Sequence, residues 1–242
     1  MDLDELYRDN LKDFLNFINP EYCDWAENYL GTSVTKNRYI NILREIERIP
    51  SSAICDMGAY PFYLDYLISK AHKDVKIDCF DIDIERINND IFKKIENLNS
   101  YTHNIELDGQ IPVDRKYDII LFLEVFEHLR FDPIYLFESL KKLMHINSKI
   151  FIQVPNLYYW GSLLRFIKGR GILDYYTEYK KLTLHGHMGH VRLPSNYEMA
   201  SFIENVGLEI DHIVNIAGKR VRKNARYLFG ESHLLYIAKL RQ

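Results

Sequence analysis

The stretch Ala53-Ile54-Cys55-Asp56-Met57-Gly58 decides the fold class, because it is a short apolar run that ends in an acid and a glycine. A helical pattern follows it, in which Leu64, Leu67 and Ile68 recur on one face. An apolar strand, a tight turn and a helix in this order are typical of the first unit of a doubly wound α/β sheet. The rest of the chain is therefore expected to alternate strands with helices.

The alternation continues along the chain and predicts six more strands. They are expected at residues 75–80, 104–107, 118–123, 149–154, 209–215 and 233–239. Residues 118–123 are almost continuously apolar, as in a strand that is buried on both faces. The intervening helices favour parallel strands, and a hairpin between the last two would make the final strand antiparallel. The predicted fold is an α/β, doubly wound, mostly parallel seven-stranded sheet with an antiparallel last strand.

Two segments fall outside this alternation. Residues 1–50 carry helical patterns without a strand, which predicts an N-terminal helical cap on a main domain over 51–242. Residues 156–194 follow the fifth strand, are rich in aromatic side chains and contain five of the eleven glycines. We expect this insertion to form a lid that contacts the substrate, or a small helical subdomain that buries its own aromatic rings.

Composition excludes several classes of protein. The chain has 242 residues with 47% hydrophobic residues, which excludes wholesale disorder, and its net charge of -3 argues against a nucleic-acid binder. The three cysteines lack a CxxC spacing, so neither a disulfide framework nor a zinc site fits. No apolar stretch is long enough to span a membrane and the first residues do not resemble a signal peptide, so a cytoplasmic location is expected.

The first two predicted strands both end in an acid, Asp56 and Asp81. A carboxylate that closes the second strand can accept hydrogen bonds from both ribose hydroxyls of a nucleoside, and Gly58 lets the backbone approach the ligand. A dinucleotide would need the glycine-rich G-x-G-x-x-G turn for its pyrophosphate, and this turn has a single glycine. The pattern predicts a nucleoside cofactor without phosphates, namely S-adenosylmethionine.

Several motifs in this order resemble the class I S-adenosylmethionine-dependent methyltransferases, in the branch that includes ubiquinone-biosynthesis and polysaccharide-modifying enzymes. Ile54–Gly58 matches the family's first motif and Cys79–Asp83 matches its second. Asp118–Leu129, which ends in Glu-Val-Phe-Glu-His-Leu, is the most specific piece. Val154–Asn156 and Gly189–Arg192 are also similar to that branch. The resemblance covers roughly residues 50–240 and implies a Rossmann-like methyltransferase fold.

The resemblance also implies which residues hold the cofactor. Asp56 would order its ammonium group, Gly58 would approach its methionine part, Asp81 would bind the ribose, Asp108 would lie near the adenine, and Arg38 would meet the carboxylate. The full expected set is Arg38, Asp56, Gly58, Ala59, Tyr60, Asp81, Ile82, Asp108, Leu123 and Glu124. The family's later glycines are missing after Gly58, so Tyr60 either closes over the cofactor or blocks its site.

Methyl transfer needs an aligned acceptor and, for a hydroxyl, a base. His128 and His190 are the candidate catalytic bases, and the resemblance favours His190 together with Arg192. The closely spaced histidines at 185–190 have no carboxylate adjacent in sequence, so no metal site is predicted, and Glu127 is expected to cap a helix or face solvent. The expected substrate contacts are Tyr158, Trp160, His187, Arg192, Arg220 and Arg222, the last two as a basic site for phosphate.

The predicted function is O-methylation of a small-molecule or nucleotide-sugar acceptor. Three rivals remain open. The glycine-poor turn would also suit a protein that binds S-adenosylmethionine without turnover. The basic residues near 219–226 would suit an RNA methyltransferase, although the net charge argues against a nucleic-acid acceptor. The missing glycines disfavour the third rival, a dinucleotide-dependent oxidoreductase. The oligomeric state is left open.

Overall fold

The computed structural model describes residues 2–82, 84, 90–108, 111–185, 189–222 and 231–241. Internal contacts divide the chain into two units. Unit 1 contains residues 1–121 and 142–148, and unit 2 contains residues 122–141 and 149–242.

The strands of the described residues form one mixed sheet in the order β3-β2-β1-β4-β5-β8-β6-β7. They are β1 (Ala53–Met57), β2 (Lys76–Asp81), β3 (Leu98–Thr102), β4 (Tyr117–Leu123), β5 (Met144–Pro155), β6 (Leu208–Asn215), β7 (Arg220–Val221) and β8 (His233–Leu240). β2 is parallel to β1 and to β3, whereas β8 is antiparallel to β5 and β6. This confirms the predicted doubly wound sheet with an antiparallel last strand, and adds an eighth strand, the two-residue β7.

Nine α-helices are found within the described residues. They are α1 (Leu3–Leu15), α2 (Cys23–Leu30), α3 (Ser33–Ile46), α4 (Tyr63–Ala71), α5 (Asp90–Lys94), α6 (Pro133–Lys142), α7 (Trp160–Ile167), α8 (Tyr175–His185) and α9 (Asn196–Asn205). None of these helices is long and apolar enough to cross a membrane. A capping box begins α9, because the side chains of Ser195 and Glu198 accept from each other's backbone N–H groups.

The prediction of a strand at 104–107 is wrong. The third strand is Leu98–Thr102, and the residues after it form a turn in which Asn104 O accepts from the backbone N–H groups of Leu107 and Asp108. The Asn104 side chain also accepts from Glu106 N at 2.9 Å, an arrangement that favours a turn over a strand. Asp83, the last residue of the second motif, lies outside the described residues.

In unit 1, three helices from residues 1–50 pack together near α4. Tyr7 Oη donates to Leu30 O at 2.7 Å, and Tyr63 Oη donates to Tyr7 O. The ring of Phe14 lies 4.8 Å from that of Tyr63 and 5.4 Å from that of Tyr66. Because these rings are almost entirely buried, the N-terminal helices share their apolar core with α4.

In unit 2, the segment after β5 differs from its surroundings. The strands β5, β6 and β8 bury most of their apolar side chains, and α9 buries Met199 and Ile203. By contrast, α7 buries none of its residues. The large side chains exposed on α7 and at the start of α8 are Trp160, Leu164, Phe166, Ile167, Tyr175, Tyr176 and Tyr179.

Candidate functional site

In unit 1, the loop after β1 is fastened to the end of β2. Gly58 has φ 83°, a left-handed conformation that glycine adopts without strain, and its N–H donates to Phe80 O at 2.8 Å. Ala59 N donates to the same oxygen at 3.3 Å. Tyr60 N donates to Asp81 Oδ2 at 2.9 Å. The two strand ends that the sequence singled out are therefore joined through backbone groups and the Asp81 carboxylate.

Asp56 offers a place for a cationic group. Its side chain is 3% exposed, and no N–H of the described residues donates to its Oδ1 atom. A buried carboxylate oxygen without a donor is unusual in a folded protein. The ammonium group of S-adenosylmethionine carries donors and positive charge, so the residues present fit this cofactor.

A second buried carboxyl lies beside Asp56. Asp65, on α4, is fully buried, and its carboxyl lies against that of Asp56 and the thiol of Cys79. Burial raises the pKa of Asp65 to about 7. Burial and the neighbouring Asp65 also raise the pKa of Asp56 well above its usual range. At neutral pH the pair thus retains at least one proton, because two adjacent carboxylates are not both ionised without water.

We expect Asp65→Asn to change how stability depends on pH. In the wild type, the pKa of Asp65 is higher in the folded chain than in the unfolded chain. Between about pH 4 and about pH 7 the unfolded chain therefore releases a proton that the folded chain keeps, and the free energy of unfolding falls as the pH rises. An asparagine cannot ionise and does not contribute to this loss. From pH 5 to pH 8 the free energy of unfolding of the variant should therefore fall by at least about 2 kcal/mol less than that of the wild type. Urea unfolding at the two pH values measures this difference.

Asp90→Asn is the matched control for this experiment, because Asp90 is an exposed acid on α5. If Asp65→Asn and wild type lost stability in parallel from pH 5 to pH 8, the buried pair would not hold the proton that the structure indicates.

An aromatic stack from the N-terminal helices covers the loop after β1. The ring of Trp25 is stacked on Tyr29 at 5.1 Å and on Tyr60 at 5.2 Å, with interplanar angles of 9° and 23°. Arg38 is 4% exposed, and its Nη1 donates to Tyr29 Oη at 3.2 Å. Sequence reasoning selected Arg38 and Tyr60 but missed Trp25 and Tyr29. Their i, i+4 spacing on one helix was the available signal.

We expect Trp25→Ala to weaken S-adenosylmethionine binding by up to about 10-fold, because the loop after β1 would lose the Trp25–Tyr60 ring pair that holds it in place, and one such pair contributes about 0.5–1.5 kcal/mol. Trp25→Phe retains a ring and should recover most of the affinity. Calorimetric titration measures both variants. Unchanged affinity in Trp25→Ala would place the stack outside the cofactor site.

Two further predicted cofactor residues lie near the end of β2. Ile82 follows Asp81 directly and is half-buried. Asp108 is exposed, accepts from Asn104 N at 2.6 Å, and lies 3.5 Å from Nδ1 of the buried His103. His103 N in turn donates to Asp81 O at 3.1 Å. Asp108 is thus linked to the strand end through His103, and its contact with adenine stays a prediction.

In unit 2, Glu124 follows β4 in a strained conformation. Its φ of 56° lies in the left-handed region that side chains other than glycine rarely adopt. Its N–H donates to Gln153 O at 2.9 Å, and its Oε2 lies 3.2 Å from His233 Nε2. The preceding Leu123 is half-buried. Backbone strain of this kind is concentrated at functional sites, and the predicted role of Glu124 at the cofactor stays a prediction.

The next residues of unit 2 form a cluster of a carboxylate and two imidazoles. Glu127 is fully buried, its Oε1 lies 3.9 Å from His128 Nε2, and the rings of His128 and His190 are 4.8 Å apart. The expectation that Glu127 caps a helix or faces solvent is wrong. The argument that the histidines lack a neighbouring carboxylate is also wrong, because the fold brings the Glu127 carboxylate close to His190 from another part of the chain.

Hydrogen bonding fixes the orientation of His128. Its Nδ1 lies 3.1 Å from Gly189 O, and because a carbonyl only accepts, Nδ1 must carry the hydrogen. Nε2 then faces the Glu127 carboxylate, an arrangement that a proton or a metal ion on Nε2 stabilises. Among the described residues, Glu127, His128 and His190 form the group that could hold a metal ion. That no metal is needed stays a prediction.

His190 is held close to this pair. Its N–H donates to Glu178 Oε2 at 2.9 Å, while Val191 N donates to Glu127 O at 2.9 Å. Burial lowers the pKa of His190, and the nearby Glu178 carboxylate opposes that shift. The ring is therefore neutral at pH 7 and can accept a proton. Arg192 is fixed beside it, since its Nη2 donates to Leu129 O at 2.7 Å.

The remaining substrate candidates differ in their exposure. Tyr158 is half-buried, and Trp160 is 53% exposed on α7. Arg220 and Arg222 are exposed at β7 and just after it. His187 lies outside the described residues. Their contacts with substrate stay predictions.

Comparison with known proteins identifies the family of the chain. The sequence profile of the methyltransferase domain family matches residues 37–213. No curated protein matches the chain significantly by sequence. The fold resembles that of N-methyltransferase NodS from Bradyrhizobium japonicum WM9 in complex with S-adenosyl-L-homocysteine, with 13% identity, a TM-score of 0.58, and 98% of this chain and 99% of that chain covered.

Two other solved structures have the same fold. A SAM-dependent methyltransferase from Aquifex aeolicus has 14% identity and a TM-score of 0.55, with 95% of this chain and 98% of that chain covered. A putative methyltransferase in complex with the Haloferax volcanii Trm112 methyltransferase activator has 15% identity and a TM-score of 0.60, with 93% and 98% covered. With the family profile spanning most of the chain, this chain belongs to the methyltransferase domain family and is a class I S-adenosylmethionine-dependent methyltransferase.

Proposed function

We propose that this enzyme methylates a hydroxyl group of a small or saccharide-containing acceptor, such as a nucleotide-linked sugar, in the cytoplasm. The observation that carries the proposal is His190, a half-buried imidazole that is neutral at pH 7 and lies beside His128 and Glu127. A hydroxyl must lose its proton as its oxygen bonds to the methyl carbon, and a neutral imidazole is suited to accept that proton. The three free cysteines support a reducing compartment.

The residues of unit 1 would hold the cofactor. The Asp56 carboxylate suits its ammonium group, the Asp81 carboxylate suits the ribose hydroxyls, and the backbone at Gly58 is open to close approach. Arg38 is the candidate partner for the carboxylate. When bound, the cofactor would supply a sulfonium-activated methyl group for in-line transfer to the acceptor oxygen, with S-adenosylhomocysteine as the leaving group. The protein then has to align the acceptor and remove its proton.

The basic and aromatic side chains of unit 2 support the proposal of a saccharide-containing acceptor. Arg220 and Arg222 are exposed and lie two residues apart in the chain. A guanidinium group can donate two parallel hydrogen bonds to two oxygens of one phosphate. A nucleotide-linked sugar presents both a diphosphate and a ring that packs on aromatic faces. Arg192, which follows His190 closely in the chain, and Tyr158 are further candidate contacts.

Calorimetric titration tests the cofactor first, with S-adenosylmethionine, S-adenosylhomocysteine and, as a control, NAD. We expect micromolar binding of the first two and none of NAD. An acceptor screen then begins with nucleotide sugars, followed by other hydroxylated small molecules and transfer RNA, with methyl transfer measured by radiolabel. Methylation of nitrogen rather than oxygen would contradict the proposal, as would salt-sensitive turnover on RNA alone.

A further inference from the structure

The segment that follows β5 carries a helix with an unburied apolar face. In α7, Trp160, Leu163, Leu164 and Ile167 fall on one side of the helix, because residues three and four apart share a face. Gly161, Ser162 and Arg165 occupy the other side. Trp160 is 53% exposed, Leu164 52% and Ile167 70%. A contiguous exposed apolar surface of this kind marks an interaction site rather than ordinary surface.

The charges around this face have one sign. From Leu157 to Leu173 the chain contains Arg165, Lys168 and Arg170 and no acidic residue. Lys168 and Arg170 are exposed directly after the helix, next to Phe166, which is 68% exposed. The nearest acids further along are engaged locally, since Asp174 accepts from Thr177 N and Glu178 from His190 N.

We propose that the segment 157–173 binds the surface of a membrane that contains anionic lipids. An amphipathic helix with Trp and Phe near its apolar face and cations at its edge lies in the plane of a lipid surface, with its apolar side chains between the headgroups. The exposed cations complement anionic headgroups. In a symmetric dimer through this surface, the cations of one copy would face the same cations of the other copy. This repulsion disfavours a second copy of the chain as the binding partner.

Sedimentation with vesicles tests this proposal on the full chain. We expect the protein to sediment with vesicles of phosphatidylcholine and phosphatidylglycerol at low salt, and far less with phosphatidylcholine alone or at ~0.5 M salt. Lys168→Gln and Arg170→Gln should each weaken binding about 5-fold, the effect of one cation near such a surface. The double variant Leu164→Glu with Ile167→Glu should weaken it at least about 10-fold.

Ile134→Glu is the matched control, because Ile134 is 53% exposed at the start of α6, outside the proposed surface. Circular dichroism and thermal unfolding check that all variants are folded. Failure of the wild type to sediment with anionic vesicles would overturn the proposal, as would equal binding by the Leu164→Glu, Ile167→Glu variant. A wild-type dimer that this variant abolishes, without any vesicle binding, would assign the surface to a second copy instead.

Discussion

Alanine in place of Asp81 is expected to raise the dissociation constant for S-adenosylmethionine by about 100-fold or more. The Asp81 carboxylate is 8% exposed at the end of β2, where two ribose hydroxyls would donate to it. Hydrogen bonds to a buried charged group contribute about 1.5–3 kcal/mol each, and 1.4 kcal/mol corresponds to a factor of ten. Calorimetric titration of the purified variant with S-adenosylmethionine measures the change.

The Asp81 carboxylate also accepts from Tyr60 N. Part of the lost affinity would therefore reflect a displaced loop after β1 and not the missing hydrogen bonds to the ribose. Asp81→Asn separates the two effects, because its amide oxygen still accepts one hydrogen bond, and its affinity should lie between those of wild type and Asp81→Ala. Asp90→Ala, an exposed acid on α5, is the control for the removal of a carboxylate. Affinity that does not change in Asp81→Ala would remove Asp81 from the cofactor site.

The second large effect is expected from His190→Ala, which should lower kcat by about 10²–10⁴-fold and leave cofactor affinity within about twofold. The reason is the proposed role of the neutral imidazole as the proton acceptor for the substrate hydroxyl. Steady-state kinetics with the acceptor found in the screen, together with calorimetry, separate the two readouts. His212→Ala, a half-buried histidine on β6, provides the matched control.

The pH profile gives an independent test of the same role. Burial lowers the pKa of His190 below its usual value near 6.5, so the protonated fraction grows only in acid. The rate should therefore be constant above about pH 7 and fall as the pH decreases below about 6.5. A profile of the same shape in His190→Ala, or full turnover in that variant, would show that another group accepts the proton.

The sequence was sufficient for those parts of the fold in which one strand or helix carries its own signal. β1 and β4 are buried on both faces, so most of their residues are apolar, and their ends could be located from Asp56, near the end of β1, and from Glu124, directly after β4. β3 lies at the edge of the sheet and is only partly buried, which allows Asn99, Ser100 and Thr102 in a short strand. Its weak apolar pattern explains why the strand was predicted in the wrong place.

Residues that depend on contacts between distant segments could not be predicted. Asp65 has the pattern of an ordinary acid in the first turn of a helix, and only the fold places it against Asp56. Trp25 reaches Tyr60 because the N-terminal helices pack near α4. Glu127 and His190 are far apart in the chain, and their segments are joined by the hydrogen bond that Val191 N donates to Glu127 O. In each case the signal lies in tertiary packing and not in local sequence.

The left-handed backbone of Glu124 has a consequence for attempts to engineer this enzyme. A non-glycine residue in that conformation costs about 1–3 kcal/mol, and glycine would adopt it with little strain. A screen that selects only for heat resistance would therefore favour Glu124→Gly, while the enzyme would lose the carboxylate that contacts His233. With the predicted role of Glu124 at the cofactor, thermostability and turnover would favour opposite choices at this position, so a library for stabilisation should keep Glu124 fixed.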